Sequence, residues 1–131
     1  MLVDTNVVSE LMRASPNPSV VRWAERQRRM HLSVVTVEEI LYGLAARRSS
    51  RLERWFDLFL DQHCDVLDVT KPIARRCAAL RAMLRTRGNA RTQADMLIAA
   101  SALEHDLPLA THNVRDFTGC GVAVIDPFNE R

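Results

Sequence analysis

Four acidic side chains stand where predicted strands end or predicted helices begin. Asp4 ends the apolar run at the start of the chain, Glu39 and Asp95 lie at helix starts, and Asp116 lies in a turn after a strand. Carboxylate oxygens are the ligands that hard divalent cations prefer. Carboxylates held close together repel each other unless a cation neutralises them. These residue types therefore predict a Mg²⁺ or Mn²⁺ site, provided that the elements bring the four acids together.

Each of these acids also has a simpler interpretation as a helix cap. Asp4 can cap the first helix, and the capping-box pattern is matched or resembled by Thr36-x-x-Glu39, Thr92-x-x-Asp95 and Asn113-x-x-Asp116. A single acid of this kind is more often a cap than a ligand. Four caps need not converge, however, and Asp95 opens a helix that is apolar nearly all round. The pattern therefore favours the metal site somewhat over four separate caps.

Short apolar strands that alternate with helices must position these acids. We predict a first strand that ends at Asp4, with further strands at 30–34, 65–69, 107–111 and 122–125. Helical spacing predicts helices up to residue 12 and at 19–28, 36–46, 49–64, 70–85 and 92–104, with one turn at 113–117. This alternation is typical of an α/β domain, a three-layer α/β/α arrangement with a mainly parallel, roughly five-stranded sheet. Right-handed crossovers then place every strand's carboxyl end at one edge, where ligands bind.

Length and composition predict one globular domain spanning residues 1–131. The chain has 47% hydrophobic and 26% charged residues and a net charge of +2, which are ordinary values. No apolar run is as long as a membrane span, and the N-terminus lacks a signal-peptide pattern. The three cysteines show neither disulfide nor zinc spacing. We therefore expect a cytoplasmic protein without a membrane partner.

The basic residues are unevenly distributed. Seven of them and no acid lie between Lys71 and Arg91. A solvated helix face is the usual explanation of such a run, and a strip that faces phosphates is the alternative. Taken alone, the run favours the solvated face.

Other kinds of chemistry find little support. There is no GxGxxG or Walker A pattern, the four histidines lack metal spacing, and no serine has an evident His/Asp partnership. A receiver-like signalling module also gathers acids around Mg²⁺, but it needs an acid pair before the acceptor Asp and a Lys after the last strand. The chain has neither, because its only lysine is Lys71.

Four blocks of sequence together resemble one known family. The blocks are Asp4-Thr5-Asn6, Ser33-Val34-Val35-Thr36-Val37-Glu38-Glu39-Ile40-x-x-Gly43, Thr92-Gln93-Ala94-Asp95-x-x-Ile98-Ala99 and Thr111-His112-Asn113-Val114-Arg115-Asp116-Phe117. Their order, spacing and local chemistry resemble the PIN-domain family, most closely the VapC/FitB-type toxins of type II toxin–antitoxin systems. The resemblance covers essentially the whole chain. One departure is that only three residues precede Asp4, fewer than many relatives have.

The resemblance implies a Mg²⁺- or Mn²⁺-dependent ribonuclease that hydrolyses RNA with a metal-activated water. Its acidic positions match Asp4, Glu39, Asp95 and Asp116, with Glu39 rather than Glu38 as the helix acid. Supporting polar positions match Thr5, Asn6, Thr111 and Asn113. The arginines expected to hold RNA phosphates are Arg85, Arg87, Arg91 and Arg115.

The resemblance also implies partners. These are the RNA substrate, a VapB-like antitoxin that sends a basic side chain into the acidic pocket, and a second copy in a homodimer. A PIN-like domain that binds RNA or a partner without cutting stays open as an alternative.

Overall fold

One five-stranded sheet, parallel throughout, runs through the computed structural model, which describes residues 1–129. Its strands are β1 (Leu2–Val3), β2 (Met30–Ser33), β3 (Cys64–Leu67), β4 (Leu109–Ala110) and β5 (Val124–Ile125). They lie in the order β3-β2-β1-β4-β5. Leu2 pairs with His31 on one side and with Leu109 on the other. The two-residue strand β1 is therefore the centre of the sheet.

Six α-helices connect the strands. They are α1 (Thr5–Leu11), α2 (Pro18–Glu25), α3 (Val34–Ala46), α4 (Ser50–His63), α5 (Lys71–Thr86) and α6 (Gln93–Glu104). Two 3₁₀ turns follow, at Val114–Phe117 and Pro127–Asn129. Among residues 1–129, no helix is long and apolar enough to cross a membrane.

The helices cover both faces of the sheet, because successive strand residues point to opposite sides. Leu2 and Leu109 join one fully buried cluster with side chains of α5 and α6, including Ile73, Leu84, Met96 and Ile98. Val3 and Ala110 join a second cluster with side chains of α1 to α4, including Val7, Trp23, Ile40 and Phe56. The predicted three-layer α/β/α fold with a five-stranded parallel sheet is thus confirmed.

The direction of the chain reverses at β1. The strands β1, β2 and β3 progress one way across the sheet, and the chain then returns to place β4 on the other side of β1. In open α/β sheets, the crevice at such a reversal is where ligands bind. This order differs from the 2-1-3-4-5 order of receiver-like domains, which argues against the signalling alternative.

The start of α3 differs from the prediction. Ser33 ends β2 and caps the helix by accepting a hydrogen bond from the Val35 amide at 3.0 Å. The predicted strand to residue 34 and the predicted cap at Thr36 are therefore wrong, and Thr36 lies buried inside the helix. The β-branched pair Val34–Val35 favours a strand locally, but the Ser33 cap determines the boundary. Similarly, β3 begins one residue earlier and ends two residues earlier than predicted.

The chain end packs against the loop that follows β4. Asp126 accepts hydrogen bonds from the Phe128 amide at 3.0 Å and from the Asn129 side chain at 2.7 Å. The His112 ring lies 3.3 Å from the same carboxylate, and its centroid is 4.1 Å from that of Phe128. The segment around Pro127, which is buried, is therefore part of the packed structure.

Candidate active site

Asp4 lies at the reversal point of the sheet, between the carboxyl ends of β1 and β4. Its side chain is only 4% exposed. Oδ1 accepts from the Thr5 amide at 2.8 Å, while Oδ2 accepts from the Thr111 hydroxyl at 2.7 Å and from the Asn6 amide group at 3.1 Å. Asp4 is therefore the cap of α1, as the simpler interpretation holds, and it also bridges two strands at the predicted site.

Thr5 connects this edge to α3. Its hydroxyl donates to Glu39 Oε1 at 2.7 Å and lies 3.1 Å from the Thr36 hydroxyl. Thr36 and Glu39 are three residues apart and therefore share one face of the helix. Glu38, one position away, is exposed. The structure thus turns Glu39 toward the end of β1, the orientation that the prediction assumed.

Asp95 and Asp116 complete the set of predicted acids. Asp95 lies in the first turn of α6, where its amide donates to the hydroxyl of the cap residue Thr92 at 3.1 Å. The predicted cap at Thr92 is therefore present. Asp116 lies in the Val114–Phe117 turn, which has no side-chain cap from Asn113. Both side chains are partly exposed, so they are accessible from solvent at the edge of the sheet.

The four carboxylates influence one another electrostatically. Burial raises the pKa of Asp4, and the charges of Asp95 and Glu39 raise it further, against the hydrogen bonds from Thr111 and Thr5. Burial also raises the pKa of Asp95, with additional contributions from Asp116 and Glu39, while Thr92 and Arg91 act in the opposite direction. The charges of Glu39 and Asp95 therefore act on Asp4, and those of Asp116 and Glu39 act on Asp95.

The acids do not, however, form a closed ligand cage. Within residues 1–129, no three His, Cys, Asp or Glu side chains are arranged as a ready-made metal site. The gathered oxygens are nevertheless of the kind that a hard cation prefers, since they come from carboxylates and hydroxyls. In chemical type, this donor set fits a divalent cation.

The predicted polar residues form a network behind Asp4. The Asn6 amide group donates to Thr111 Oγ1 at 3.2 Å as well as to Asp4, and Asn6 Oδ1 accepts from the His112 amide at 3.1 Å. The Thr111 hydroxyl also accepts from the Asn113 amide at 3.0 Å. Three of the four polar predictions therefore act through side chains, whereas Asn113 contributes its backbone.

Sequence reasoning missed two participants in this network. Thr36 was interpreted as a cap, although its spacing from Glu39 indicates a shared helix face. The second is His112, whose ring is half-exposed and contacts Phe128 and whose amide donates to Asn6. No local pattern around His112 predicts the Phe128 contact.

The predicted RNA-binding arginines divide into two groups. Arg85, Arg87 and Arg115 have exposed side chains. Arg85 also lines a shallow groove with Arg81 and Arg91 beside the end of α5. Arg91 differs from the others because it is partly buried and donates to backbone carbonyls. The structure therefore does not present the four arginines as one continuous strip.

Comparison with known proteins gives full-length matches. A family model described as the PIN domain matches residues 1–118. Toxin FitB of Neisseria gonorrhoeae is 32% identical over 138 aligned residues, which cover 99% of each chain. VapC ribonuclease Y4jK of Sinorhizobium fredii is 32% identical over 136 aligned residues, which cover 98% of this chain and 97% of the relative.

Solved structures show the same fold. The crystal structure of FitAcB from Neisseria gonorrhoeae matches with a TM-score of 0.85 and 32% identity, covering 98% of both chains. DNA-bound VapBC from Salmonella typhimurium matches with a TM-score of 0.82 and 27% identity, covering 96% of both.

Proposed function

The chain belongs to the PIN domain family, as the sequence resemblance predicted, and on this basis we propose that it is a metal-dependent endoribonuclease and the toxin of a toxin–antitoxin pair. The two relatives at 32% identity are named a toxin and a ribonuclease. Another relative, from Shigella flexneri, is named a tRNA(fMet)-specific endonuclease and is 30% identical over 92% of this chain. These names support a toxin ribonuclease as the function, and the acidic residues of this chain support metal-dependent hydrolysis as its chemistry.

One observation carries the proposal. At the reversal point of the sheet, the buried Asp4 carboxylate joins β1 to β4 through its 2.7 Å hydrogen bond from Thr111, and three further acids influence the same edge. A buried aspartate needs only one or two hydrogen bonds to be stable, so a structural role explains Asp4 alone. It gives no reason for the charges of Glu39 and Asp95 to act on Asp4, or for that of Asp116 to act on Asp95.

The donor set indicates which residues would hold the cation. Asp4 and Asp95 are the principal candidates, and Glu39 and Asp116 would act through water. When bound, a divalent cation supplies positive charge that acidifies the attacking water and offsets the charge that builds on the phosphate. Asp4 retains acceptor capacity for this purpose, because among residues 1–129 its Oδ1 accepts only the Thr5 amide.

The chain's own residues hold the geometry of the reaction. Thr111 and Asn6 fix the rotamer of Asp4, and Thr5 fixes Glu39. Asp116 is partly exposed and is suited to orient water for in-line attack on phosphorus. Attack breaks the bond to the 3′-oxygen and leaves a 5′-phosphate and a 3′-hydroxyl. The exposed Arg85, Arg87 and Arg115 supply positive charge for the phosphates of the bound strand.

An apolar groove supports the antitoxin part of the proposal. It lies between α2 and α4 and is lined by Leu11, Val21, Trp55, Leu58 and Phe59 among others. Trp55 is 37% and Leu58 is 58% exposed. Large apolar side chains exposed at a surface often mark a binding site. We propose that an antitoxin segment covers this groove and reaches the acidic edge with a basic side chain. A solved structure from Klebsiella pneumoniae that is 25% identical to this chain, with a TM-score of 0.78, is described as a toxin–antitoxin complex. A homodimer and a cytoplasmic location belong to the same proposal.

The test is cleavage of a labelled RNA pool by the purified wild type and by isosteric variants, with Mg²⁺, Mn²⁺ or EDTA. Asp4→Asn keeps the size of the side chain at the α1 cap. We expect Asp4→Asn and Glu39→Gln to lose roughly 100-fold or more in rate, and EDTA to abolish cleavage. Glu38→Gln is the matched control, because this neighbouring side chain is exposed, and it should cleave like the wild type.

Two results would contradict the proposal. Cleavage that is equal in the wild type and in Asp4→Asn would indicate a contaminating nuclease. RNA binding without metal-dependent cleavage would favour the non-catalytic alternative.

A further inference from the structure

The guanidinium of Arg91, a partly buried residue, is held by backbone carbonyls near two of the acids. Nε donates to the Asp116 carbonyl at 3.0 Å, and Nη2 donates to the Arg115 carbonyl at 3.5 Å. Nη1 donates to the Asn89 carbonyl at 3.4 Å. One side chain thus connects the α5–α6 loop to the turn that carries Asp116.

Arg91 also supplies positive charge beside Asp95. It stands one residue before Thr92, the cap of α6, and its charge opposes the effects of Asp116 and Glu39 on Asp95. Arg91 therefore contacts the backbone of one acid of the site and stabilises the charge of another.

The other basic side chains of this region are placed differently. Arg85 and Arg87 are exposed at the end of α5, and neither makes a side-chain hydrogen bond within residues 1–129 that would fix it to the site turn. A side chain that binds RNA phosphates needs its donors free, whereas three nitrogens of Arg91 are directed at carbonyl oxygens.

We propose that Arg91 is a positioning residue, which fastens the Val114–Phe117 turn to the start of α6 and thereby sets where Asp116 stands relative to Asp95. This inference rests on the proposed function, and it changes the predicted role of Arg91 from phosphate binding to organisation of the site. A lysine cannot replace it, because a single ammonium lacks the planar fork that reaches several carbonyls at once.

The first experiment is amide hydrogen exchange in metal-free protein. The amides to follow are those of Asp116 and Thr118, which donate to the Asn113 and Arg115 carbonyls within the turn. We expect roughly 10-fold faster exchange at both in Arg91→Lys and Arg91→Gln, because the turn opens more easily without the fork. The Leu109 amide, bonded to Ala123 across the sheet, reports the fold and should not change. Arg87→Ala is the matched control and should leave all three amides unchanged.

The second experiment separates positioning from phosphate binding in the cleavage reaction. For Arg91→Lys we expect kcat to fall about 10-fold, with the KM for an RNA oligonucleotide and its salt dependence unchanged. For Arg85→Ala we expect KM to rise and the salt slope to decrease by about 1, as for a lost phosphate contact.

The outcomes are distinguishable from failure of the proposed function. Unchanged exchange in both Arg91 variants overturns the inference, and so does an Arg91→Lys variant whose kinetics match those of Arg85→Ala. Hydrogen exchange needs neither metal nor RNA, so a wild type that does not cleave RNA would defeat the proposed function and leave the exchange result to decide the role of Arg91.

Discussion

The Thr111 hydroxyl is hydrogen-bonded to three residues of the candidate site. It donates to Asp4 and accepts from the side-chain amide of Asn6 and the backbone amide of Asn113. The residue is fully buried. Removing this hydroxyl takes away the acceptor of the Asn113 amide and one hydrogen bond each of Asp4 and Asn6, at about 1 to 3 kcal/mol for a buried group left unsatisfied. Asp4 and Asn6 keep their hydrogen bond to each other, so the orientation of Asp4 depends on Thr111 and Asn6 together.

We predict that Thr111→Val reduces RNA cleavage about 10-fold or more, because Asp4 loses one of the hydrogen bonds that fix its orientation. Thr111→Ser keeps the hydroxyl and loses only a methyl group, so it should retain most of the activity. Steady-state cleavage of one RNA oligonucleotide at saturating metal measures the difference. Equal losses in the two variants would instead assign the role of Thr111 to packing of its methyl group.

Residue types and their order predicted the acids, whereas the supporting polar positions came from the family resemblance. Asp4 ends a strand, Asp116 follows one, and Asp95 lies at the start of a helix. A parallel sheet is expected to bring these positions close together at one edge. The role of Arg91 was not predictable, because its partners are backbone carbonyls, and carbonyls are the same at every residue. Only the three-dimensional course of the Val114–Phe117 turn brings them to the guanidinium.

At the scale of elements, α4 has two different apolar surfaces. Phe56 and Phe59 are buried, whereas Trp55 stacks on Phe59 with ring centroids 5.0 Å apart and remains 37% exposed. Apolar residues at helical spacing in this stretch favour packing in the core as the default interpretation. The structure buries Phe56 and Phe59 in the core and leaves Trp55 and Leu58 exposed.

We predict that Leu58→Asp weakens binding of the antitoxin at least about 10-fold, because a carboxylate would be desolvated in an apolar groove. The thermal midpoint and the RNA cleavage of the free protein should stay unchanged, since Leu58 is 58% exposed. Titration calorimetry with purified antitoxin measures the affinity. Ala74→Asp, an exposed change on α5, is the control, and an effect of equal size there would place the interface elsewhere.

Element boundaries were the weaker part of the prediction. A run of β-branched residues after β2 indicated a strand to residue 34, yet one capping hydrogen bond from Ser33 starts the helix. Because the helix starts at Val34, Thr36 lies inside α3 and is a partner of the Thr5 hydroxyl rather than the helix cap. Local propensity cannot resolve such a choice between two neighbouring caps.

At the scale of the whole molecule, the fold is destabilised by the burial of Asp95 and, to a smaller degree, by the negative charges of Asp116 and Glu39. The raised pKa of Asp95 means that the native state binds this proton more tightly than the unfolded state does. The corresponding stability is present below about pH 3.8, the ordinary pKa, and is lost as the pH rises through the higher native value. At neutral pH the ionised side chain is therefore a net cost.

We predict that Asp95→Asn raises the thermal midpoint in EDTA at pH 7 by a few degrees, and that the difference shrinks as the pH falls toward 4. Mg²⁺ should stabilise the wild type through binding to the native state and should have much less effect on Asp95→Asn. Differential scanning calorimetry with Glu38→Gln as the control measures this. A lower midpoint in Asp95→Asn at pH 7 would show that its favourable interaction with the α6 terminus outweighs the repulsion.

The sheet order was the part of the architecture that the sequence left undetermined. The alternation of elements predicted a parallel sheet and the common edge of the strand ends. It did not determine that β4 returns to pair with β1, because the pairing surfaces of Leu2–Val3 and Leu109–Ala110 are equally short and apolar.

The pairing of β1 with β4 also affects the point during translation at which the candidate site can form. Asp4 is translated before its partner Thr111, which lies 107 residues later. A nascent chain at about 5 to 20 residues per second therefore carries its first acid for many seconds without the strand that orients it. Chains released early, before Thr111 and Asp116 are made, lack one of the four acids and the hydroxyl that bonds to Asp4. Interrupted synthesis of this protein thus yields fragments in which Asp4 has no β4 to orient it.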